Sequence, residues 1–351
     1  MIRVENIYYL LCYAWDHAEL ATAREVSGVS SNRMEHLLAH VLAERVGELL
    51  RRGLHREYRT FEEELCAPRG KMDVSATLKR GLIGVGRVAC RVDELDHDLL
   101  LNQIIQATID RLLCAIDDRE LAQRLGSVRR RLPKIAPLEV RPEHVARAQL
   151  HRGNAHYRFV LHVCELLLRQ LLPQRTAGRY RFIDFRGDER AMGLLFEAFV
   201  RHFLIREQRQ FKVKRDHPRW MLDPLTPLAK SVLPTMQTDM TLSAPGRRVI
   251  IETKFYREPL RVGRDGRRRL RESHLYQLFA YLQNLEAAAQ RADIGLLLYA
   301  SAGAHFDHQY RLGESRLRAC ALDLDQPWQA VHADLLALVS SLRAEPSSVQ
   351  P

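Results

Sequence analysis

The chain has 351 residues, 46% hydrophobic and 28% charged, ordinary globular values that allow two or three domains with sizeable cores. Lys and Arg number 54 against 43 Asp and Glu, giving a formal charge of +11 and a pI near 9.6, a balance suited to a polyanionic partner. The six cysteines are scattered, without C-x-x-C or close Cys/His pairing, which argues against structural zinc and a disulfide framework. With no signal peptide and no long apolar span, the expectation is a cytoplasmic protein without membrane attachment.

In chain order, Ile2–Leu20 is rich in aromatics (Tyr8, Tyr9, Tyr13, Trp15) and is expected to pack into an N-terminal domain. Asn32–Arg52 reads as an amphipathic helix with Leu37, Leu38, Val41, Leu42, Val46, Leu49 and Leu50 on its apolar side and Asn32 as N-cap. Leu54–Leu65 and Met72–Ala76 read as short strands. The glycine-containing stretch from Leu78 (Gly81, Gly84, Gly86) reads as a hairpin, since a phosphate-cradling G-x-x-x-x-G-K-[ST] is missing from it. Leu99–Leu125 reads as one long helix. Arg129–Arg131 then forms either a helix C-terminus or a DNA-facing patch, and Pro133, Pro137 and Pro142 punctuate a connection. Arg158–Leu172 is a further helix ended by Pro173, and Gln174–Tyr180 is a plausible domain boundary.

The second half carries the chemistry. Met240–Leu242 and Val249–Tyr256 read as two strands joined at the Pro245-Gly246 turn, with Asp239 opening the first and Glu252 and Lys254 on the second. Side chains alternate across a strand, so Ile250, Glu252, Lys254 and Tyr256 share one face, and Val249, Ile251, Thr253 and Phe255 the other. Asp239 and Glu252 then supply hard oxygen ligands suited to Mg²⁺. Lys254 stands beside them as a cation for a nucleophilic water or a developing anion. Alone, an E-x-K pair reads as a solvated acid–base pair on a strand face. Three features change that reading. Gln277 and Tyr281 share one face of a following amphipathic helix. Glu197, in the helix Met192–Leu204, can be aimed at the same metal. The loop Arg257–Arg271 concentrates Arg257, Arg261, Arg264, Arg267, Arg268, Arg269 and Arg271, which beside two carboxylates reads as a DNA phosphate clamp. Ile294–Ala300, Gln309–Leu312 and Leu317–Leu324 supply further strands, Val331–Leu342 a closing helix, and His305 and His308 read as exposed loop residues.

Asp239 followed by Glu252-Thr253-Lys254 resembles the PD-(D/E)xK nuclease signature, and Gln277 with Tyr281 resembles the Q-x-x-x-Y motif of its RecB-like branch. Asn6–Trp15, Arg69–Asp73, Asp98–Ile105, Tyr180–Phe185, Leu195–Glu197 and Leu275–Leu278 are similar, in order, to segments of the McrC family, the nuclease subunits of McrBC modification-dependent restriction systems. Two departures are Glu252, at a position where the signature admits Asp or Glu, and Thr238, where the general signature has proline and McrC-like proteins share Thr-Asp. The resemblance implies a Mg²⁺-dependent DNA endonuclease subunit that binds an McrB-like AAA+ ring and stimulates its GTP hydrolysis. Recognition of 5-methylcytosine and use of GTP then belong to that partner. It also makes the glycine-containing stretch after Leu78 a candidate contact with the ring.

The expected fold class is an α+β N-terminal domain followed by an α/β PD-(D/E)xK nuclease domain, a small mixed sheet flanked by helices. The expected boundaries are 1–175 for a partner-binding domain, 176–345 for the endonuclease and 346–351 for a frayed tail. The alternatives are a non-catalytic DNA-binding adaptor of a ring NTPase and a stand-alone RecB-like nuclease.

Overall fold

The computed structural model describes residues 2–21, 33–174, 179–223, 225–226, 228–287 and 293–343; Asn32 and the tail 346–351 lie outside them. The chain divides into two compact units, one made of Met1–Ser27 with Phe185–Pro351, the other of Gly28–Asp184.

Helix α1 (Val4–Ala14) therefore belongs with the C-terminal half, not with the N-terminal domain expected from sequence. Its surface is apolar nearly all round, with Ile7, Tyr8, Tyr9, Leu10, Leu11 and Tyr13 buried. Each such side chain gains roughly 1.5–3 kcal/mol from burial, so the helix needs cover on several sides.

In the Gly28–Asp184 unit, α2 (Met34–Arg52) buries the apolar stripe read from sequence. Strands β1 (Glu57–Leu65), β2 (Lys71–Met72) and β3 (Val88–Asp96) form a three-stranded antiparallel sheet in the order β1-β3-β2. The strand expected over Met72–Ala76 stops at Met72, because Asp73 accepts the Ala76 N–H and caps a short helix, α3 (Val74–Lys79). The glycine-containing stretch is a 3-10 turn, Leu82–Val85, set between Gly81 and Gly86 at φ 62° and 70°, values that favour glycine. It leads into β3, which pairs with β1 and β2 and so does not close a hairpin of its own.

The long helix expected over Leu99–Leu125 is two helices, α4 (Leu100–Leu113) and α5 (Arg119–Arg131). The break falls where Asp118 turns its carboxylate onto the Leu121 N–H and caps α5. The triplet Arg129–Arg131 lies in the last turn of α5, where it favours the helix dipole. A short helix, α6 (Pro142–Arg147), precedes α7 (Arg158–Gln170). The unit closes with β4 (Leu171–Pro173) paired to β5 (Tyr180–Phe182). Because of that pairing the boundary falls after Asp184, later than the expected residue 175. A buried node holds this unit together: Asn102 donates to the carbonyls of His55 and His97, and Tyr157 donates to Asn102 at 3.0 Å.

The remaining elements are α8 (Glu189–Glu207), β6 (Lys212–Lys214), β7 (Met240–Ala244), β8 (Arg247–Phe255), β9 (Arg261–Val262), β10 (Arg268–Arg269), α9 (Glu272–Ala287), β11 (Ile294–Ser301), β12 (Asp307–Leu312), β13 (Ser315–Asp323) and α10 (Trp328–Arg343). A six-stranded mixed sheet runs β12-β13-β11-β8-β7-β6, with β11 parallel to both β8 and β13 and the other pairs antiparallel. Its central strand β11 is buried along its whole length, as the run IGLLLYAS demands.

Helix α9 covers one face: a Cβ on Gly295 of β11 would meet Leu278 and Leu282, and Ile250, Leu297 and Tyr299 join them in one apolar cluster. Helices α8 and α10 cover the other face, α8 beside Phe255 and α10 against β13. Onto these lies α1. Asn6 donates to the carbonyls of Leu324 and Gln326, Tyr9 stacks on Trp328 and bonds His332, and Tyr13 donates to Glu207 at 2.8 Å. Among the described residues no helix is long and apolar enough to cross a membrane.

Candidate active site

Alternation along β8 places Glu252 and Lys254 on the α9 face, opposite Leu297 and Tyr299 of β11. Asp239 precedes β7 and stands one step beyond its last residue paired with β8, Met240 opposite Ile251. There its side chain takes over the ladder: Oδ2 accepts the Thr253 N–H at 2.8 Å and the Thr253 hydroxyl at 2.7 Å. The Asp239 N–H in turn donates to Glu252 Oε1 at 3.1 Å. The two carboxylates are thus cross-bonded through backbone groups and cannot drift apart without breaking the strand pair.

Glu252 is fully buried. Desolvation pushes its pKa up to about 7, and the Asp239 charge pushes the same way, against the opposing effects of Lys254 and the Asp239 N–H. Lys254 Nζ lies 3.3 Å from Glu252 Oε2 and donates to Gln277 Oε1 at 2.9 Å. The amide of Gln277 then donates through Nε2 to the Tyr281 hydroxyl at 3.0 Å, and that hydroxyl donates to the Gln237 carbonyl at 2.8 Å. Accepting from Lys254 through Oε1 and donating to Tyr281 through Nε2 fixes the amide orientation of Gln277 and holds the lysine. Burial raises the Tyr281 pKa and so favours its role as donor.

Thr238 accounts for the departure from proline. Its N–H donates to the Asp216 carbonyl at 3.0 Å and its hydroxyl accepts the Asp216 N–H at 3.0 Å, a two-way clasp that a proline could not make.

Glu197 is placed differently from the other acids. It projects from α8, on the far side of the sheet from Lys254, and forms an ion pair with Arg215. One turn further along α8, Arg201 has its pKa lowered by burial and by Arg215 and held up by Glu197 and Asp239. The charges of Glu197 and Asp239 therefore both act on Arg201.

The basic loop is itself a hairpin: β9 pairs with β10, and Gly266 at φ 73° allows the turn. Arg257, Arg261, Arg264, Arg267, Arg268 and Arg269 are exposed; Asp265 pairs with Arg269 and lies 3.9 Å from Arg267. Arg271 is set apart from them. It is half-buried, its guanidinium lies 4.0 Å from the Tyr256 ring centre, and its Nε has no hydrogen-bond partner among the described residues.

Sequence reasoning missed the groups that prop this side of the site. His274 is buried and stacks on Tyr256, with Nδ1 2.9 Å from the Tyr299 hydroxyl and Nε2 3.3 Å from that of Tyr256. Burial, Lys254 and Arg271 lower its pKa to about 4, so the ring is neutral at physiological pH. Its spacing of three from Gln277 on α9 was the available signal. Thr253, inside the E-x-K triplet, was read only as the middle residue.

His55, Glu57 and His151, in the other unit, bring possible ligand atoms within 4.8 Å of one another. Their hydrogen bonds already account for them. His55 meets Glu57 at 3.2 Å, and His151 Nδ1 accepts the Gly153 N–H, which leaves the proton of the neutral ring on Nε2.

Fold and site together define an α/β protein with two opposed carboxylates and a propped lysine at the centre of its sheet. The model of the McrBC 5-methylcytosine restriction system component matches residues 4–300, and the chain belongs to that family. It is 28% identical over 342 residues to the type IV methyl-directed restriction enzyme EcoKMcrBC of Escherichia coli strain K12, covering 96% of this chain and 97% of that one. Its fold is similar to a chain in the assembly of Thermococcus gammatolerans McrB AAA+ hexamers with bound McrC. That match has a TM-score of 0.64 at 18% identity and covers 96% of this chain and 76% of the other.

Proposed function

We propose that the chain is the Mg²⁺-dependent endonuclease subunit of a modification-dependent restriction complex, with a PD-(D/E)xK active site at Asp239, Glu252 and Lys254. The observation that carries this reading is the hydrogen-bonded path from Glu252 through Lys254 and Gln277 to Tyr281, beside a carboxylate fixed by Thr253. Such preorganisation is expected where transition-state charge must be met without rearrangement.

The donor set fits a divalent cation. A buried Glu252 facing Asp239 is destabilised as an anion, and a hard cation between the two would relieve it. Asp239 would hold the ion through Oδ1, the oxygen not committed to Thr253, and Glu252 through its buried carboxylate. When bound, such an ion lowers the pKa of a coordinated water and neutralises phosphoryl charge. Lys254 spends two N–H bonds on Glu252 and Gln277 and keeps the third for the attacking water or a phosphoryl oxygen. Gln277 and Tyr281 hold that ammonium in place, and the exposed arginines of the hairpin neutralise flanking phosphates. Glu197 joins the metal set only if its pair with Arg215 opens.

The partner is an AAA+ GTPase ring of the McrB type, as the relative with bound McrB hexamers supports. Its contact lies on the Gly28–Asp184 unit, where Val74, Leu78, Ile83 and Val85 leave apolar side chains exposed around the glycine-flanked turn. The test is cleavage of methylated plasmid with Mg²⁺, with and without the ring and GTP, by wild type and Lys254→Ala. Cutting that needs ring and GTP and is lost in the variant supports the reading. Undiminished cutting by Lys254→Ala overturns it.

A further inference from the structure

Between the arginine hairpin and the edge of the six-stranded sheet lies a cleft of about 1010 Å³. One wall is the β9–β10 hairpin with Arg264 and Arg268, continuing into Arg271. The other is β12, the edge strand of the six-stranded sheet. Alternation along β12 puts His308, Tyr310 and Leu312 on one face, and all three line the cleft. His308 is therefore a strand residue, not a loop residue. Its ring lies nearly parallel to that of Phe306, with centroids 5.8 Å apart and planes at 19°. Tyr310 follows two residues on, 49% exposed, although its neighbours across the strand pair are well packed.

The two walls offer different chemistry. Among the described residues Arg264 and Arg268 have no carboxylate partner, and Arg271 carries a buried Nε without an acceptor. Stacking on Tyr256, which follows β8 two residues beyond Lys254 and which His274 holds, positions the Arg271 guanidinium. This wall presents cations suited to a phosphate backbone, ending at Arg271 beside Tyr256. The β12 wall offers aromatic faces. A duplex offers such a wall sugar, phosphate and base edges, because the faces of its bases are stacked inside; base faces reach an aromatic ring when the strand is unpaired.

We propose that this cleft holds one unpaired strand of DNA, with phosphates along Arg264, Arg268 and Arg271 and bases against His308 and Tyr310. The proposal rests on the nuclease reading and sharpens it: the substrate strand is separated from its complement on the β12 side of the cut.

The test is fluorescence anisotropy of the full-length protein, without divalent cation, on a labelled oligothymidylate and on a duplex of equal length. Tyr310→Ala should weaken single-strand binding by between about fivefold and a hundredfold and leave duplex binding unchanged. Tyr310→Phe, which keeps the ring, should retain wild-type affinity. The proposal is overturned if wild type does not bind the single strand, if Tyr310→Ala changes neither affinity or both equally, if Tyr310→Phe loses as much as Tyr310→Ala, or if a matching RNA binds more tightly. Plasmid cleavage by Lys254→Ala is scored separately. Full cutting there breaks the catalytic assignment without touching the binding result, and a failed binding result leaves that assignment standing.

Discussion

The carboxylate–lysine centre and the arginine hairpin sit next to each other in sequence and are built on opposite principles. In the centre, Glu252 is buried, Asp239 is clamped by Thr253, and Lys254 is held by a chain ending on a backbone carbonyl. In the hairpin the arginines are exposed, paired at most with Asp265, and carried on two-residue strands. A reacting phosphorus needs atoms at fixed positions, and only burial with mutual hydrogen bonds supplies them. Long-range attraction needs charge of the right sign, which exposed and redundant side chains provide. Loss of one group should therefore be severe in the first region and mild in the second.

The largest effect is expected at Lys254 and Asp239: Lys254→Ala or Asp239→Ala should lower cleavage by about 10³-fold or more, while binding of the ring partner, read by size-exclusion chromatography, is retained. Gln277→Ala should fall between, roughly 10- to 100-fold in cleavage, because it loosens the lysine without removing it. A loss as deep as that of Lys254→Ala would mean that Gln277 touches the substrate itself.

The buried carboxylate gives a third measure. The folded pKa of Glu252, about 7, lies above its unfolded value of 4.5. Its contribution to stability is present below the unfolded value and is lost as pH rises through about 7. Metal-free protein should accordingly lose thermal stability between about pH 5 and 7.5. Glu252→Gln should flatten that slope and raise the metal-free Tm at pH 7.5 by on the order of a few degrees, while removing Mg²⁺-induced stabilisation. The smallest effect is expected at single hairpin arginines. Arg264→Ala or Arg268→Ala should weaken DNA binding a few-fold and lower the salt slope by about one, with the metal-bound cleavage step unchanged. An arginine whose loss matched that of Lys254 would erase the distinction between the two regions.

The strand pair and its carboxylates were legible because alternation is strict: once β8 was placed, the shared face of Glu252 and Lys254 followed. The helix face of Gln277 and Tyr281 followed in the same way. The partner of α1 was not legible. A helix apolar on nearly every side announces burial but carries no address, and its bonds span 194 residues from Tyr13 to Glu207 of α8 and 323 from Tyr9 to His332 of α10. The split between α4 and α5 was hidden because apolar periodicity continues across it, while a single capping carboxylate, Asp118, decides the break. The propping role of His274 depends on Tyr256, just past the end of β8, and Tyr299 of β11, and no local pattern joins them. Several segments that resemble McrC in the Gly28–Asp184 unit are structural. Gly70 sits at φ 68° against the Arg91 backbone, Asp73 caps α3, and Asn102 holds two carbonyls.

The placement of α1 also bears on how the molecule is made. The unit that carries the carboxylate–lysine centre is discontinuous in sequence, with the whole of Gly28–Asp184 inserted between its first helix and the rest. During synthesis α1 emerges before the inserted unit and its partners α8 and α10 after it, a delay of roughly ten seconds or more at ordinary translation rates. The inserted unit can fold as soon as it is complete, whereas the other unit cannot close until α8 and α10 have been made. A nascent chain would then display the folded Gly28–Asp184 unit before the carboxylate–lysine centre is assembled, so the order of synthesis delays that centre until the two separated parts of its unit meet.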